Sequence, residues 1–337
     1  MAYEQEKLSA EKEAELLEEA KERWEDCDNF YSSLYNEAEE DWKFLHGEGQ
    51  WDQGAKNARN KDGRPSLTLN QCLPYAHQIA NSIKQARLAI RVVPVDDKAD
   101  KDTADIRGGI IRNIEKQSKA KDVYGTAAMN AVGAGIGWLR VLIDYADEDT
   151  FDQEGFIERV LDFTSVYLDP NDTTIDGSGA DYGFVKVSYP VKKFEELYPD
   201  AAPVSFGSNT TVSGEEQVTI VEYYYKEHKK ETLYEIKVGD VVDRVTSDVL
   251  KDLNAAEVYY EELRSREVDA YKTYHCVLSG QEILSREELP CRYIPLVPVI
   301  GQEYYNNGKR EFHSLIRQAK DAQRMYNYWK SASTSGS

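Results

Sequence analysis

Apolar and polar residues recur along this chain with two different periods, and the change from one to the other divides it. In the first fifty residues the apolar positions are Leu17, Trp24, Tyr31, Leu34, Ala38, Trp42 and Leu45, at intervals of 7, 7, 3, 4, 4 and 3. That is the repeat of one stripe on a helix. It predicts a long amphipathic helix that ends near His46-Gly47 and docks on something through the stripe. The Gly- and Asn-rich stretch 47–63 reads as a loop, with Trp51 folding back to anchor the turn. Further helices are expected over 68–88, with Pro74 in an early turn, and over 100–118, with acids at its N-terminal end. The next, over 120–134, is rich in small residues that permit close packing.

From Trp138 onward the period shortens. Strands are expected over 138–145, 156–162, 184–189, 218–226 and 232–238, from β-branched and aromatic content with alternation. A β-like run covers 89–95, and a short helix covers 191–198. The stretch 203–216 reads as an exposed loop, and 247–266 as helical at least in part. A hairpin is expected around Ser279-Gly280, and the Pro-punctuated run 294–300 is extended. Phe312, Leu315, Ile316, Ala319, Met325, Tyr326 and Trp329 return to helical intervals and predict a last helix over 311–329. The layout is α+β: an acidic helix and turn over 1–50, a body over 51–308, a terminal helix over 309–330 and a Ser/Gly tail over 331–337.

Charge sharpens this picture. The 337 residues hold 41 Lys+Arg against 61 Asp+Glu, a net of −20. Residues 1–50 alone hold 5 basic and 16 acidic residues, a net of −11. A chain so acidic does not hold nucleic acid through a general basic face. Against that background the terminal helix is unusual, with Lys309, Arg310, Arg317, Lys320, Arg324 and Lys330 opposed by Glu311 and Asp321. It reads equally as a solvated face or as a helix placed near phosphate. No run approaches the length of a membrane span. The start is acidic where a signal peptide would be basic. Cys27, Cys72, Cys276 and Cys291 lie far apart, which fits reduced thiols better than a disulfide frame or zinc site.

Candidate chemistry is sparse. Gly133-x-Gly135-x-Gly137 closes a helix and opens a strand, the inverse of a dinucleotide fingerprint, so a tight helix-to-strand turn is the better reading. Asp169, Asp172 and Asp176 with Asp181 suit an Asx-rich turn better than a calcium loop. The five histidines are scattered, and neither GxSxG nor HExxH occurs. No metal, cofactor or catalytic residue is therefore expected.

The order of segments carries a resemblance. It runs from the acidic helix ending in His46-Gly47-x-Gly49-Gln50-Trp51, through Ile90-Arg91-Val92-Val93-Pro94-Val95 and Gly133-x-Gly135-x-Gly137-Trp138, to Asp169-Pro170-Asn171. It continues through Ile294-Pro295-Leu296-Val297-Pro298 to Leu315-Ile316-Arg317-x-Ala319-Lys320-Asp321-x-Gln323-Arg324. Together these segments resemble the portal proteins of short-tailed, podovirus-type DNA phages. The resemblance implies a wing domain followed by the start of a stem. The subunit would belong to a head-to-tail ring of about twelve copies at one capsid vertex. Partners would be the terminase motor, tail and adaptor proteins, capsid and scaffolding protein, and double-stranded DNA passing without sequence specificity. It places the protein in the virion after assembly in the host cytoplasm. By the same comparison Lys309, Arg310, Arg317, Lys320, Arg324 and Lys330 would lie near the channel wall. The aromatic members of the stripe, Trp24, Tyr31 and Trp42, are candidates for a face between subunits. Portal chains continue beyond the first stem helix, so a fragment or shortened form is expected. The alternatives are a metal-dependent nucleic-acid-processing accessory enzyme centred on Asp169, Asp172 and Asp176, or another capsid adaptor or scaffold.

Overall fold

The computed structural model describes residues 9–86, 90–94, 100–147, 149–208, 216–239, 241–256, 258–306 and 308–334. Five helices come first: α1 (Ala10–Leu45), α2 (Gln53–Lys61), α3 (Cys72–Gln85), α4 (Lys101–Gln117) and α5 (Ala120–Ala134). Then follow β1 (Ile136–Tyr145), β2 (Gln153–Arg159), β3 (Val166–Leu168), β4 (Tyr182–Pro190), α6 (Val191–Leu197), β5 (Gln217–Val238), β6 (Val241–Thr246) and α7 (Ser247–Ala255). The chain continues through β7 (Glu261–Leu278), β8 (Ile283–Leu289), β9 (Leu296–Ile300), β10 (Gln302–Asn306) and β11 (Lys309–His313) to α8 (Lys320–Thr334). The α+β layout holds. Every strand pairing is antiparallel: a small sheet ordered β2-β1-β9, a larger one ordered β3-β4-β5-β7-β8 with β6 on the outer half of β5, and the β10-β11 hairpin.

Local chemistry explains the helix limits. Asp100 accepts from the backbone N–H groups of Asp102 and Thr103 and starts α4, as an N-cap carboxylate does. Asp52 caps α2 through Ala55, within the stretch expected as a loop. The cap and the following Ala, Lys and Arg residues outweigh the local Gly and Asn. At the end of α5, Gly135 takes φ +93°, where a side chain would be strained. Two residues on, a Cβ at Gly137 would collide with the Ala127 carbonyl oxygen. The glycine-rich motif is thus a tight helix-to-strand turn.

The core lies between α1 and the strands. Leu16, Leu17, Ala20, Cys27, Tyr31, Tyr35 and Ala38 pack against Trp138, Val166, Tyr167, Phe184 and Tyr223. Aromatic rings continue across the larger sheet: Phe184, Tyr223 and Tyr225 stack at centroid distances of 4.7 and 5.0 Å, and Tyr225 meets Tyr274 at 5.4 Å. Such offset contacts add to the burial of large apolar area.

Several boundaries differ from expectation. The strands expected over 218–226 and 232–238 are one strand of 22 residues, β5. Its polar midsection stays extended because β7 pairs with it throughout, from Val221↔Leu278 to Lys237↔Glu261. The helix within 247–266 stops at Ala255, and β7 already begins at Glu261. Of the run 89–95, residues 90–94 form no strand, while Ala89 and Val95 lie outside the described residues. The terminal helix is shorter than expected: Lys309–His313 is β11, a 3-10 turn covers Arg317–Ala319, and α8 starts only at Lys320. Strand pairing of β11 with β10 overrides the helical spacing of Phe312, Leu315 and Ile316. At the other end α8 absorbs Ser331 to Thr334, and Ser331 is buried.

Candidate functional site: the basic terminal helix and its seat

The six basic positions do not share one helix. Lys309 and Arg310 stand on β11, Arg317 lies in the 3-10 turn, and Lys320, Arg324 and Lys330 are on α8. Their surroundings separate them further. Arg310 pairs with Glu303 and donates to the carbonyls of Asp172, at 2.9 Å, and Thr174, at 3.2 Å. It therefore pins the Asp-rich loop instead of facing outward.

Arg317 and Lys320 converge on Asp41 of α1, which is fully buried. Arg317 Nε donates to Asp41 Oδ2 at 3.0 Å, Ser314 Oγ donates to the same oxygen at 2.7 Å, and Lys320 Nζ is 2.5 Å from Oδ1. Glu37 takes the remaining reach of Arg317, Nη1 to Oε2, at 2.5 Å. A buried carboxylate is tolerated only when paired and hydrogen-bonded. Here one anion with two cations and a hydroxyl forms a latch between the first helix and the last.

A second seam runs along α8. Gln323, Asn327 and Ser331 follow one another at four-residue intervals, and all three are buried. They bond the backbone of the extended segment 67–71. Gln71 N–H donates to Gln323 Oε1 at 3.0 Å, Leu69 N–H to Asn327 Oδ1 at 2.9 Å, and Leu67 N–H to Ser331 Oγ at 2.9 Å. The match is geometric: four helical residues rise about 6.0 Å, and two extended residues about 6.6 Å. Alternate N–H groups of the strap therefore meet successive turns of α8. Asn327 Nδ2 also donates to Gln50 Oε1 at 3.2 Å, and Trp51 Nε1 donates to the Leu67 carbonyl at 3.2 Å. Trp51 thus anchors the strap. The signal was present as Gln-x3-Asn-x3-Ser, but a search for apolar periodicity passes over it.

Lys309, Arg324 and Lys330 remain exposed. Arg324 bonds the Gly49 carbonyl and Asp321 from an exposed position, and Lys330 lies over the Tyr326 ring. Around them α8 and α3 leave an apolar surface of Tyr75, Ile79, Leu315, Met325, Tyr326 and Trp329 open to solvent.

The aromatic members of the α1 stripe are used inside the protomer. Trp24 lies 4.6 Å from Tyr167 and 5.4 Å from Phe184, Tyr31 is buried among Tyr35, Tyr167 and Trp138, and Trp42 packs on Phe163 and His46. Tyr31 is buried, while Trp24 and Trp42 are half-buried. An amphipathic helix gives its apolar stripe first to its own sheet; what remains outward on α1 is the acidic side.

The Asp-rich loop is likewise occupied with its own backbone. Asp169 Oδ1 accepts from Asn171 N–H, Asp172 Oδ1 from Thr174 N–H, and Asp176 Oδ1 from Ser178 N–H. These are Asx turns. Among the described residues no three His, Cys, Asp or Glu side chains are grouped to hold a metal ion.

One further polar cluster lies in a cleft of about 470 Å³ between the two sheets. Arg140 pairs with Glu158 and, at 2.7 Å, with Glu222, while His275 Nδ1 stands 2.9 Å from Glu287 and its Nε2 3.6 Å from Glu222. Burial disfavours the charged imidazole, but Glu222 and Glu287 outweigh it and hold the His275 pKa above its ordinary value. Burial also pushes Glu222 up; the His275 hydrogen bond and the Arg140 charge overcome this and hold it below the usual carboxylate range.

Comparison with known proteins places the arrangement in a lineage. The profile of the phage P22-like portal protein family matches residues 21–335. A portal protein of Acyrthosiphon pisum secondary endosymbiont phage 1 is 25% identical, over 83% of this chain and 41% of its own length. The chain thus spans about two fifths of that relative. The family match extends from within α1, across both sheets, to the end of α8, and on it the chain belongs to the phage P22-like portal protein family.

Proposed function

We propose that this chain is a structural, non-enzymatic subunit of a phage portal, a ring of about a dozen copies that forms the DNA passage at one capsid vertex. The observation that carries the reading is the family match across 21–335. In that setting the protein serves genome packaging, ejection and tail attachment, with the terminase motor, tail and adaptor proteins, capsid and scaffolding protein as partners. Passing duplex is not read by sequence.

The charge distribution suits a conduit. Neutralising several phosphates at once gives tight, salt-dependent binding, which would brake a sliding polyanion. A chain of net −20 repels the duplex from its walls. Arg310, Arg317 and Lys320 are tied into the protomer, which leaves Lys309, Arg324 and Lys330 as the exposed members of the six. Sparse exposed cations centre the duplex without gripping it.

The test is imaging of the purified protein by negative-stain electron microscopy. Rings with a central hole are expected, and a protein that remains a monomer at every concentration overturns the reading. The metal-dependent alternative predicts nuclease activity lost in Asp169→Ala; neither the activity nor its loss is expected.

A further inference from the structure

The outer half of β5, with β6 and the first half of β7, forms an arm that carries a concave, arginine-rich patch. Cross-strand register places Arg244, Glu235 and Arg264 in one row, with Leu233 and Arg266 in the next. These side chains line a concavity of about 470 Å³. Glu235 answers both neighbours: Arg264 Nε donates to its Oε2 at 2.6 Å, and Arg244 Nε to its Oε1 at 3.4 Å. One carboxylate faces three guanidiniums, and Arg266 makes no ion pair among the described residues. The patch keeps an excess of positive charge on a strongly acidic chain.

The same chain carries the complement elsewhere. On α1, Glu11, Glu15, Glu18, Glu22 and Glu25 follow at intervals of four, three, four and three, so they form one ridge. All five are exposed, and none has a cationic partner among the described residues. Lys12 and Lys21 lie to either side of the ridge, about 100° and 80° round the helix. Like charges stacked on one helix face repel, so the ridge is a feature that a cationic neighbour would relieve. α1 packs on α5, β3 and β11 in its own protomer, and its apolar stripe is turned to that side. The ridge therefore faces away from the body.

We propose that the arginine face of the arm receives the acidic ridge of α1 from an adjacent copy. The contact joins two different surfaces of one chain and is therefore head-to-tail, the type that closes into a ring. It rests on the ring reading above and assigns the surfaces. Guanidinium–carboxylate pairing gives such an interface both orientation and strong dependence on salt.

The experiment uses charge reversal in two full-length variants, R264E/R266E and E18R/E22R, with association followed by sedimentation velocity at low salt. Every substituted side chain is exposed, and unchanged circular dichroism checks the fold. The wild-type chain is expected to associate, and each variant alone to do so at least about tenfold more weakly, a loss of about 1.4 kcal/mol. Mixing the two variants should restore assembly, because each then meets an opposite charge on both sides. Equal association of R264E/R266E and wild type, with rings still seen, sinks the pairing and leaves the ring reading standing. Failure of the mixture to assemble also sinks it. A wild-type chain that never associates removes both. Gel shifts with duplex DNA provide a further arm: binding lost in R264E/R266E while association is intact makes the face a nucleic-acid contact and overturns the proposal.

Discussion

Two regions of this molecule solve the same chemical arrangement in opposite surroundings. At the junction of α1 and α8, Asp41 is held between Arg317 and Lys320; on the arm, Glu235 is held between Arg244 and Arg264. The first carboxylate is fully buried, and a serine hydroxyl completes its shell. The second opens onto a concavity, and the side chains of both its arginines are more than two thirds exposed. Charge pairing alone therefore does not tell a structural contact from one available to a partner. Solvent does. Where water is excluded the three groups depend on one another, and where it is admitted each keeps much of its independence.

The largest effect is expected at the buried latch. Asp41→Ala leaves Lys320 without its carboxylate and Arg317 with Glu37 alone, and should cost about 3–5 kcal/mol, read as a fall in thermal midpoint. A midpoint within a degree of wild type would show that the latch is not the determinant. Next comes Asn327→Ala, which strands the Leu69 N–H and the Gln50 side-chain oxygen and should cost about 1–3 kcal/mol in denaturant unfolding.

The cleft between the sheets lies between the extremes, and its signature is in pH. Glu222, held low, stabilises fully above the ordinary carboxylate pKa of about 4.3 and loses this as pH falls through its depressed value. His275, held high, stabilises fully below about pH 6.5 and loses this as pH rises through its raised value. The stability difference between wild type and His275→Gln should be greatest in the window between those pH values and shrink on the alkaline side. A difference independent of pH would show that the imidazole charge is not what matters. The smallest effect is expected at Glu235→Gln, with no measurable change in thermal midpoint. If it destabilises as much as Asp41→Ala, exposure is not the variable that separates the two regions.

Much of this architecture was legible in the residues. The stripe from Leu17 to Leu45 defines α1, and Ala120–Ala134 has its helical limits because Gly135 enforces the stop. Less legible were the elements set by pairing. Lys229 and Lys230 look like a break between two strands, yet β7 lies alongside and accepts their backbone. Phe312, Leu315 and Ile316 have helical spacing, yet β10 claims the first of them. Periodicity records which side chains are buried, not where backbone hydrogen bonds go. For the same reason the candidate site was only partly visible. Six basic residues were apparent, but their division into three tied and three outward groups depends on Asp41, Glu37 and Glu303, which are distant in sequence. Trp24, Tyr31 and Trp42 carry the signature of an interface, and within the protomer they pack on Tyr167, Trp138 and Phe163.

The strap seam has a mechanical corollary. Because Gln323, Asn327 and Ser331 engage successive alternate residues of 67–71 like the teeth of a rack, α8 has no freedom to slide by less than a full turn without unmeshing every contact together. Any tilt imposed on α8 is handed on to the strap, and through Trp51 and Gln50 to the corner where α1 ends. A push on the last helix is thereby felt at the C-terminal end of the first.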